Sequence, residues 1–309
     1  MKIRNVNILS FSFSVGTIRP DLDENGIISL LGENLNGTED IVLLPETCTG
    51  HTINEPGDRF LSGIAELASR NNTYILAAVN RRIDENRHAN SAFLFDRSGA
   101  IAFCYDKMFP YWSEYDRTDS SVVPGSRAVF ADTDFGRVSA AICFDANFTD
   151  LWQDIADLNT DIVLFSSEYS SGRQLCAHAI NHHYMIVTST QKPDFAIYDI
   201  DGKEVTYNRH QQSKTLISRA RVDLDRVICH HNFNRNKILQ MLRENPGKMD
   251  LEHDYDREEW CVIRSTLPEV NVRELCGQYG IETLRDYKRR SQKNTDEARG
   301  YPPVRPERL

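Results

Sequence analysis

The chain has no apolar run near the ~20 residues needed to span a bilayer, so no helical membrane anchor is expected in its 309 residues. It has no basic excess. Thirty-six Lys and Arg against 45 Asp and Glu leave a net charge of −9, which argues against nucleic-acid or anionic-membrane partners, since both favour basic surfaces. A disulfide framework is also lacking: the seven cysteines (Cys48, Cys104, Cys143, Cys176, Cys229, Cys261, Cys276) are scattered and odd in number. Met1-Lys2-Ile3-Arg4-Asn5 leads straight into an alternating segment without an apolar signal core. A reducing cytoplasm, where a thiol stays available for chemistry, is therefore the expected compartment. Cys229-His230-His231 and His182-His183 are adjacent ligands without a partner pair and make poor tetrahedral sites, so no metal is expected. Internal repeats and low-complexity blocks are absent.

What remains is an ordinary globular composition, 40% apolar and 26% charged. At this length a core forms without staples. Leu9, Phe11 and Phe13 alternate with Ser10, Ser12 and Ser14, the period of a half-buried strand. Ile27, Ile28, Leu31 and Leu35 make one helical stripe, and Phe60, Leu61, Ile64, Leu67 and Ala68 another. Strands are expected at Ile41 to Leu44, Tyr74 to Val79, Arg137 to Phe144, Ile162 to Phe165, Tyr184 to Thr190 and Leu216 to Val222. Hairpins are expected around Asp96-Arg97-Ser98-Gly99 and Asp201-Gly202, and helices from Leu151 and over Gly172 to His183. The alternation predicts a mixed α/β architecture. A domain over residues 1–228 would be followed by an extension over 229–309, with helices at Asn234 to Glu244 and Ile281 to Arg290. The extension is too short and charged for a core of its own, and is expected to pack on the domain or at a subunit interface.

Four strands end in polar groups that would be costly inside an apolar run. Leu43-Leu44-Pro45-Glu46 and Leu164-Phe165-Ser166-Ser167-Glu168 end in carboxylates, Phe103-Cys104-Tyr105-Asp106-Lys107 in an ammonium. Ala141-Ile142-Cys143-Phe144-Asp145 carries a thiol. Ligands gather at the carboxyl ends of strands in α/β sheets, and thiol, carboxylate and ammonium together make a nucleophile with a base and a charge stabiliser. A helix start after Cys143, capped by Asn147, Thr149 or Asp150, and a nearby Lys would favour the thiolate. A cysteine in an apolar strand is more commonly a small buried residue, the reading given to the other six. A Glu after Pro also suits a helix start, and a Lys at a strand end suits solvent.

The ordered set Leu44-Pro45-Glu46, Asn90-Ser91-Ala92, Tyr105-Asp106-Lys107, Pro124-Gly125, Ile142-Cys143-Phe144-Asp145, Asp199 to Lys203 and Val222-Asp223-Leu224-Asp225 resembles the nitrilase superfamily of thiol-dependent carbon–nitrogen hydrolases over about residues 1–228. The resemblance implies a four-layer α-β-β-α sandwich, usually dimerised, so a homodimer or higher homo-oligomer is expected. It implies catalytic roles for Glu46, Lys107 and Cys143, with Glu114 matching a second family glutamate that positions the lysine and the substrate amide. Asn147-Phe148-Thr149-Asp150 departs from the Arg-Phe-Pro-Glu often found after the nucleophile, and Ala179-Ile180-Asn181-His182 only loosely echoes the family's Arg-Ala-x-Glu-Asn. Phe144-Asp145 looks like the amidase and carbamoylase branches, where true nitrilases carry Trp-Glu. Paired arginines of D-amino-acid carbamoylases are replaced by Ala146-Asn147.

The expected function is hydrolysis of a small amide or carbamoyl (ureido) compound through a cysteine thioester, without metal or organic cofactor. Phe144 is expected to contribute an oxyanion N–H, and Tyr111, Trp112 and Tyr169 an aromatic wall. Glu168 would read a cationic substrate, or instead pair with Arg173 or meet water. The competing readings are a nitrile hydrolase or acyltransferase, and a non-catalytic scaffold of the same superfamily.

Overall fold

The computed structural model describes residues 5–15, 22–53, 57–116, 120–209 and 213–300. The chain divides into two compact units, one over Val6–Val222 and one made by the chain from Asp223.

The first unit begins β1 (Asn5–Phe13), α1 (Glu24–Asn34), β2 (Ile41–Leu43), β3 (Thr52–Ile53), α2 (Arg59–Asn71), β4 (Tyr74–Arg82), β5 (Arg87–Phe95) and β6 (Ile101–Asp106). It continues α3 (Trp112–Tyr115), β7 (Ser121–Val122), β8 (Phe130–Asp132), β9 (Arg137–Ile142), α4 (Thr149–Asp157), β10 (Ile162–Ser167) and α5 (Gly172–His182). β11 (Met185–Thr190), β12 (Asp194–Tyr198), β13 (Glu204–Arg209) and β14 (Thr215–Asp223) close it. This is the mixed α/β fold that the alternation predicts. One sheet has the order β14-β1-β2-β4-β5-β6, with β3 beside β4 and β7 beside β5; the other runs β13-β12-β11-β10-β9-β8.

Leu9, Phe11 and Phe13 on one face of β1 join a core with Ile27 and Leu31 of α1 and Phe60 and Ile64 of α2. Both helices are N-capped by aspartates, Asp23 and Asp58, which satisfy amides that have no partner within the helix. The opposite face of β1 is not solvated, contrary to the half-buried reading. Ser10 and Ser12 are fully buried, and their hydroxyls donate to Thr188 O at 2.9 Å and Asp194 O at 2.7 Å on the second sheet. Ser189 and Ser166 return donors to Phe11 O and Leu44 O at 2.6 and 2.7 Å. Short hydroxyl side chains look solvent-facing in a sequence, but here each finds a carbonyl across the sheets, which is how buried polar groups are tolerated. On the outer face of the second sheet, Trp152 of α4 contacts Phe165 and stacks on His178 of α5.

The second unit contains β15 (Arg226–His230), α6 (His231–Glu244), β16 (Met249–Tyr255), β17 (Trp260–Ser265), α7 (Val272–Gln278) and α8 (Leu284–Arg299). Its strands form an antiparallel sheet in the order β15-β17-β16. The expectation that this segment lacks a core is corrected. Val227, Cys229, Ile238, Met241, Ile263 and Val272 belong to a buried cluster of their own. All three strands went unread because β16, Met-Asp-Leu-Glu-His-Asp-Tyr, is mostly half-exposed and carries charges on its outward face. The prolines Pro302, Pro303 and Pro306 lie outside the described residues. No described helix is long and apolar enough to cross a membrane.

Candidate active site

Glu46 is displaced from the end of β2 by a local irregularity. Leu44 N and Cys48 N donate to Leu76 O and Ala78 O of β4; the donors are four residues apart and the acceptors two. Two residues are extra, so Pro45, Glu46 and Thr47 bow out, with Thr47 taking φ +46°. Gln191 Nε2 secures the bow through Glu46 O at 2.9 Å and Thr47 Oγ1 at 2.8 Å.

Lys107 follows β6. Its N–H donates to Asn90 O and its carbonyl accepts from Gly125 N, at 2.8 and 2.9 Å. The side chain is 1% exposed and donates to Glu46 Oε1 at 2.8 Å and Glu114 Oε2 at 2.6 Å. Glu114 is the third residue of α3 and reaches back to Tyr111 N at 2.6 Å, as helix-start glutamates commonly do. Asn90 Nδ2 bridges the carboxylates, donating to Glu46 Oε1 at 2.8 Å and Glu114 Oε1 at 3.1 Å. Burial pulls the Lys107 pKa down, but Glu46, a Cys143 thiolate and Glu114 more than offset it and hold the ammonium well above its ordinary value. Removing one partner of such a buried pair typically costs about 3–5 kcal/mol, because a charge is left uncompensated.

Cys143 does not lie in the strand expected to run to Phe144. β9 stops at Ile142, and Cys143 opens a 3-10 turn over Cys143–Asn147 with φ +47°, a left-handed conformation costing a non-glycine residue about 1–2 kcal/mol. Asp145 closes the turn. Its fully buried carboxylate accepts from Ile142 N at 2.9 Å, Tyr105 OH at 2.7 Å and Phe109 N at 3.0 Å. One side chain thus ties the nucleophile turn to residues on either side of Lys107. Burial pushes the Asp145 pKa up to about 7 against these three donors. The turn's carbonyls are also held: Asn147 Nδ2 donates to Phe144 O at 3.1 Å, Trp152 Nε1 to Asp145 O at 2.9 Å, and His178 Nε2 lies 2.9 Å from Ala146 O.

The expected capping of the next helix by Asn147, Thr149 or Asp150 is corrected. Phe148 is the N-cap of α4, without a side-chain cap bond. The expectation of a favoured thiolate is corrected as well. Burial pushes the Cys143 thiol well above its ordinary pKa and Glu46 adds to this, outweighing Lys107, the Glu168 N–H and the Ser167 hydroxyl. The thiol rests protonated beside a carboxylate.

Of the candidate residues, Glu46, Lys107 and Glu114 share direct ion pairs, and Cys143 lies within reach of the Glu46 and Lys107 charges. Tyr111 meets the Phe144 ring edge-on at 5.1 Å. Tyr169 OH accepts from Asn147 Nδ2 at 3.4 Å. Trp112 is 64% exposed, and its ring contacts Tyr111 at 5.7 Å. Glu168 brings its backbone, donating N–H to Glu46 Oε2 at 2.9 Å, while its exposed side chain makes no ion pair with Arg173 among the described residues. The bridging of the glutamates by Asn90 and the clamp formed by Asp145 were not read from the sequence. The signal was there: His88, Asn90 and Ser91 are polar residues within the otherwise apolar, buried β5.

The chain belongs to the carbon-nitrogen hydrolase family, whose model matches residues 28–228. Its fold is similar to that of an amidase from Nesterenkonia of the nitrilase superfamily, with TM-score 0.61 and 13% identity over 72% of this chain and 92% of that one. Nit3 of Saccharomyces cerevisiae, a member of branch 10 of the nitrilase superfamily, matches with TM-score 0.62 and 12% identity over 79% and 95%. A CN-hydrolase superfamily protein of Xanthomonas campestris, with an arsenic adduct in its active site, matches with TM-score 0.60 and 20% identity over 70% and 91%. In the Nesterenkonia amidase, the acetamide moiety of fluoroacetamide adds covalently to the active-site cysteine.

Proposed function

We propose that this protein hydrolyses a non-peptide carbon–nitrogen bond of a small amide or carbamoyl compound through a thioester on Cys143. The observation that carries this reading is the buried Lys107 ammonium held between Glu46 and Glu114 beside a protonated thiol. Glu46 takes the Cys143 proton as sulfur attacks the carbonyl carbon, a task suited to a thiol that does not ionise unaided. Lys107 and the Phe144 N–H stabilise the oxyanion, such donors typically being worth about 3–4 kcal/mol each. Glu46 passes the proton to the departing nitrogen. Water, deprotonated by Glu46, then attacks the thioester, releasing the acid and restoring the thiol. Glu114 positions Lys107 and the substrate amide, and Tyr111, Trp112, Phe144 and Tyr169 provide an aromatic wall for the acyl group. No step calls for a metal or organic cofactor. We place the protein in the cytoplasm, where Cys143 stays reduced.

The test is ammonia or amine release from a panel of amides, ureido acids and nitriles. Amides or ureido acids should be consumed, and Cys143→Ala should abolish turnover without unfolding the chain. Glu46→Gln should block acylation of Cys143, read as a mass adduct. Turnover by Cys143→Ala, or normal acylation in Glu46→Gln, would remove the reading. Consumption of nitriles alone, or capture of the acyl group by an added amine, would favour the nitrilase or acyltransferase alternatives. Failure of every substrate to acylate Cys143 would favour a scaffold.

A further inference from the structure

Asn90 has no place in the mechanism above, yet all three charged groups of the site are tied to it. Its backbone oxygen accepts from Lys107 N at 2.8 Å, and its Nδ2 donates to one oxygen of each glutamate, at 2.8 and 3.1 Å. The amide's orientation follows from chemistry, since a carbonyl turned that way would face two carboxylates. Asn90 is 1% exposed, and its Oδ1 is buried without a hydrogen-bond partner. The polar interactions of this side chain are therefore the two donations. Two carboxylates around one ammonium leave a negative charge in excess in a site of little exposure, and carboxylates sharing a site resist joint ionisation unless donors favour the charged forms. Glu46 Oε1 is occupied by Lys107 and Asn90 together, whereas Oε2 accepts only the Glu168 N–H. Oε2 is thereby left as the oxygen with room for a proton.

We propose that Asn90 is a positioning residue for the hydrolysis, turning Glu46 and Glu114 about Lys107 and offsetting the negative charge that the pair leaves in excess. The inference rests on the proposed hydrolase reading and adds the device that keeps its base available.

The experiment uses Asn90→Leu, which removes both donations, and Asn90→Asp, which keeps the shape but replaces the donor with a third carboxylate. For each variant and the wild type, kcat and KM for an amide substrate are measured against pH. The pH dependence of Cys143 labelling by chloroacetamide is measured in parallel, with circular dichroism to confirm folding. The expected result is an acid limb of kcat/KM moved up by about one pH unit or more, further in Asn90→Asp than in Asn90→Leu. Labelling should show the same displacement, and kcat should fall about 100-fold, the order associated with a misplaced catalytic group. Should Asn90→Leu fail to fold, the near-isosteric Asn90→Asp carries the test. An unmoved acid limb in the folded variants, with a loss uniform across pH, would overturn the positioning role. A wild type that labels but hydrolyses nothing would defeat the hydrolase reading instead, and the labelling profile would still decide the role of Asn90.

Discussion

Asp145 and Glu168 carry separate consequences at the scale of single residues. Asp145 ionises near 3.8 in an unfolded chain and at about 7 in the folded one. Between those values the folded state holds more protons, so this group's contribution to stability falls as pH rises from about 4 to about 7. Asp145→Asn has no such slope. Thermal melts across that window should show the wild type losing stability relative to the variant as pH rises, and a relative gain would contradict the assignment. Glu168 is an exposed carboxylate whose backbone touches Glu46. We propose that it favours substrates bearing a cationic amine and disfavours carboxylate-bearing ureido acids. Glu168→Gln should lower kcat/KM for cationic amides by roughly 1.5–3 kcal/mol, the range for a charged hydrogen bond, and leave neutral amides nearly unchanged. An equal loss on both would mean that Glu168 supports the site's shape and does not read charge.

Among the elements, the strand ends do the placing, and each uses a different local device. The end of β2 bows out by two residues, β9 breaks into a left-handed residue and a 3-10 turn, and β6 is gripped by Gly125. The last has a sharp steric consequence. A Cβ on Gly125 would stand 2.0 Å from Asp106 O, a backbone atom that cannot swing aside. Gly125→Ala is therefore expected to push on the peptide immediately before Lys107. Overpacking of this kind costs about 1–3 kcal/mol, and a lysine shifted from its place costs about 100-fold in rate. Comparing melting temperature with kcat/KM checks this: a variant with full activity would show that Gly125 is not a constraint on Lys107. Pro124-Gly125 and Asp145 are visible in the sequence as a turn and an acid after the nucleophile. Their roles are not, because a turn signal does not say what backbone it approaches and an acidic residue does not announce three distant donors.

Over the whole molecule, the second unit is where sequence and structure part most. Its sheet and buried cluster replace the expected coreless extension, so an interface role no longer follows from a want of burial. We retain such a role as a proposal: truncation after Arg226 should lower the mass found by light scattering, and an unchanged oligomer would argue against it. The sequence alone determined the α/β class, the main helices and strands of the first unit, and the positions of Glu46, Lys107, Glu114 and Cys143. Apolar periodicity and polar strand ends are local features, written in residues next to one another. Tertiary structure decided what depends on residues far apart in the chain. Burial from all sides raises the thiol that a helix start and a lysine were expected to ionise. Asn90 meets Glu46 across 44 positions of chain and Asp145 meets Tyr105 across 40. Hydrogen bonding and desolvation act on the neighbours a group acquires in space, and periodicity along the chain carries no record of those.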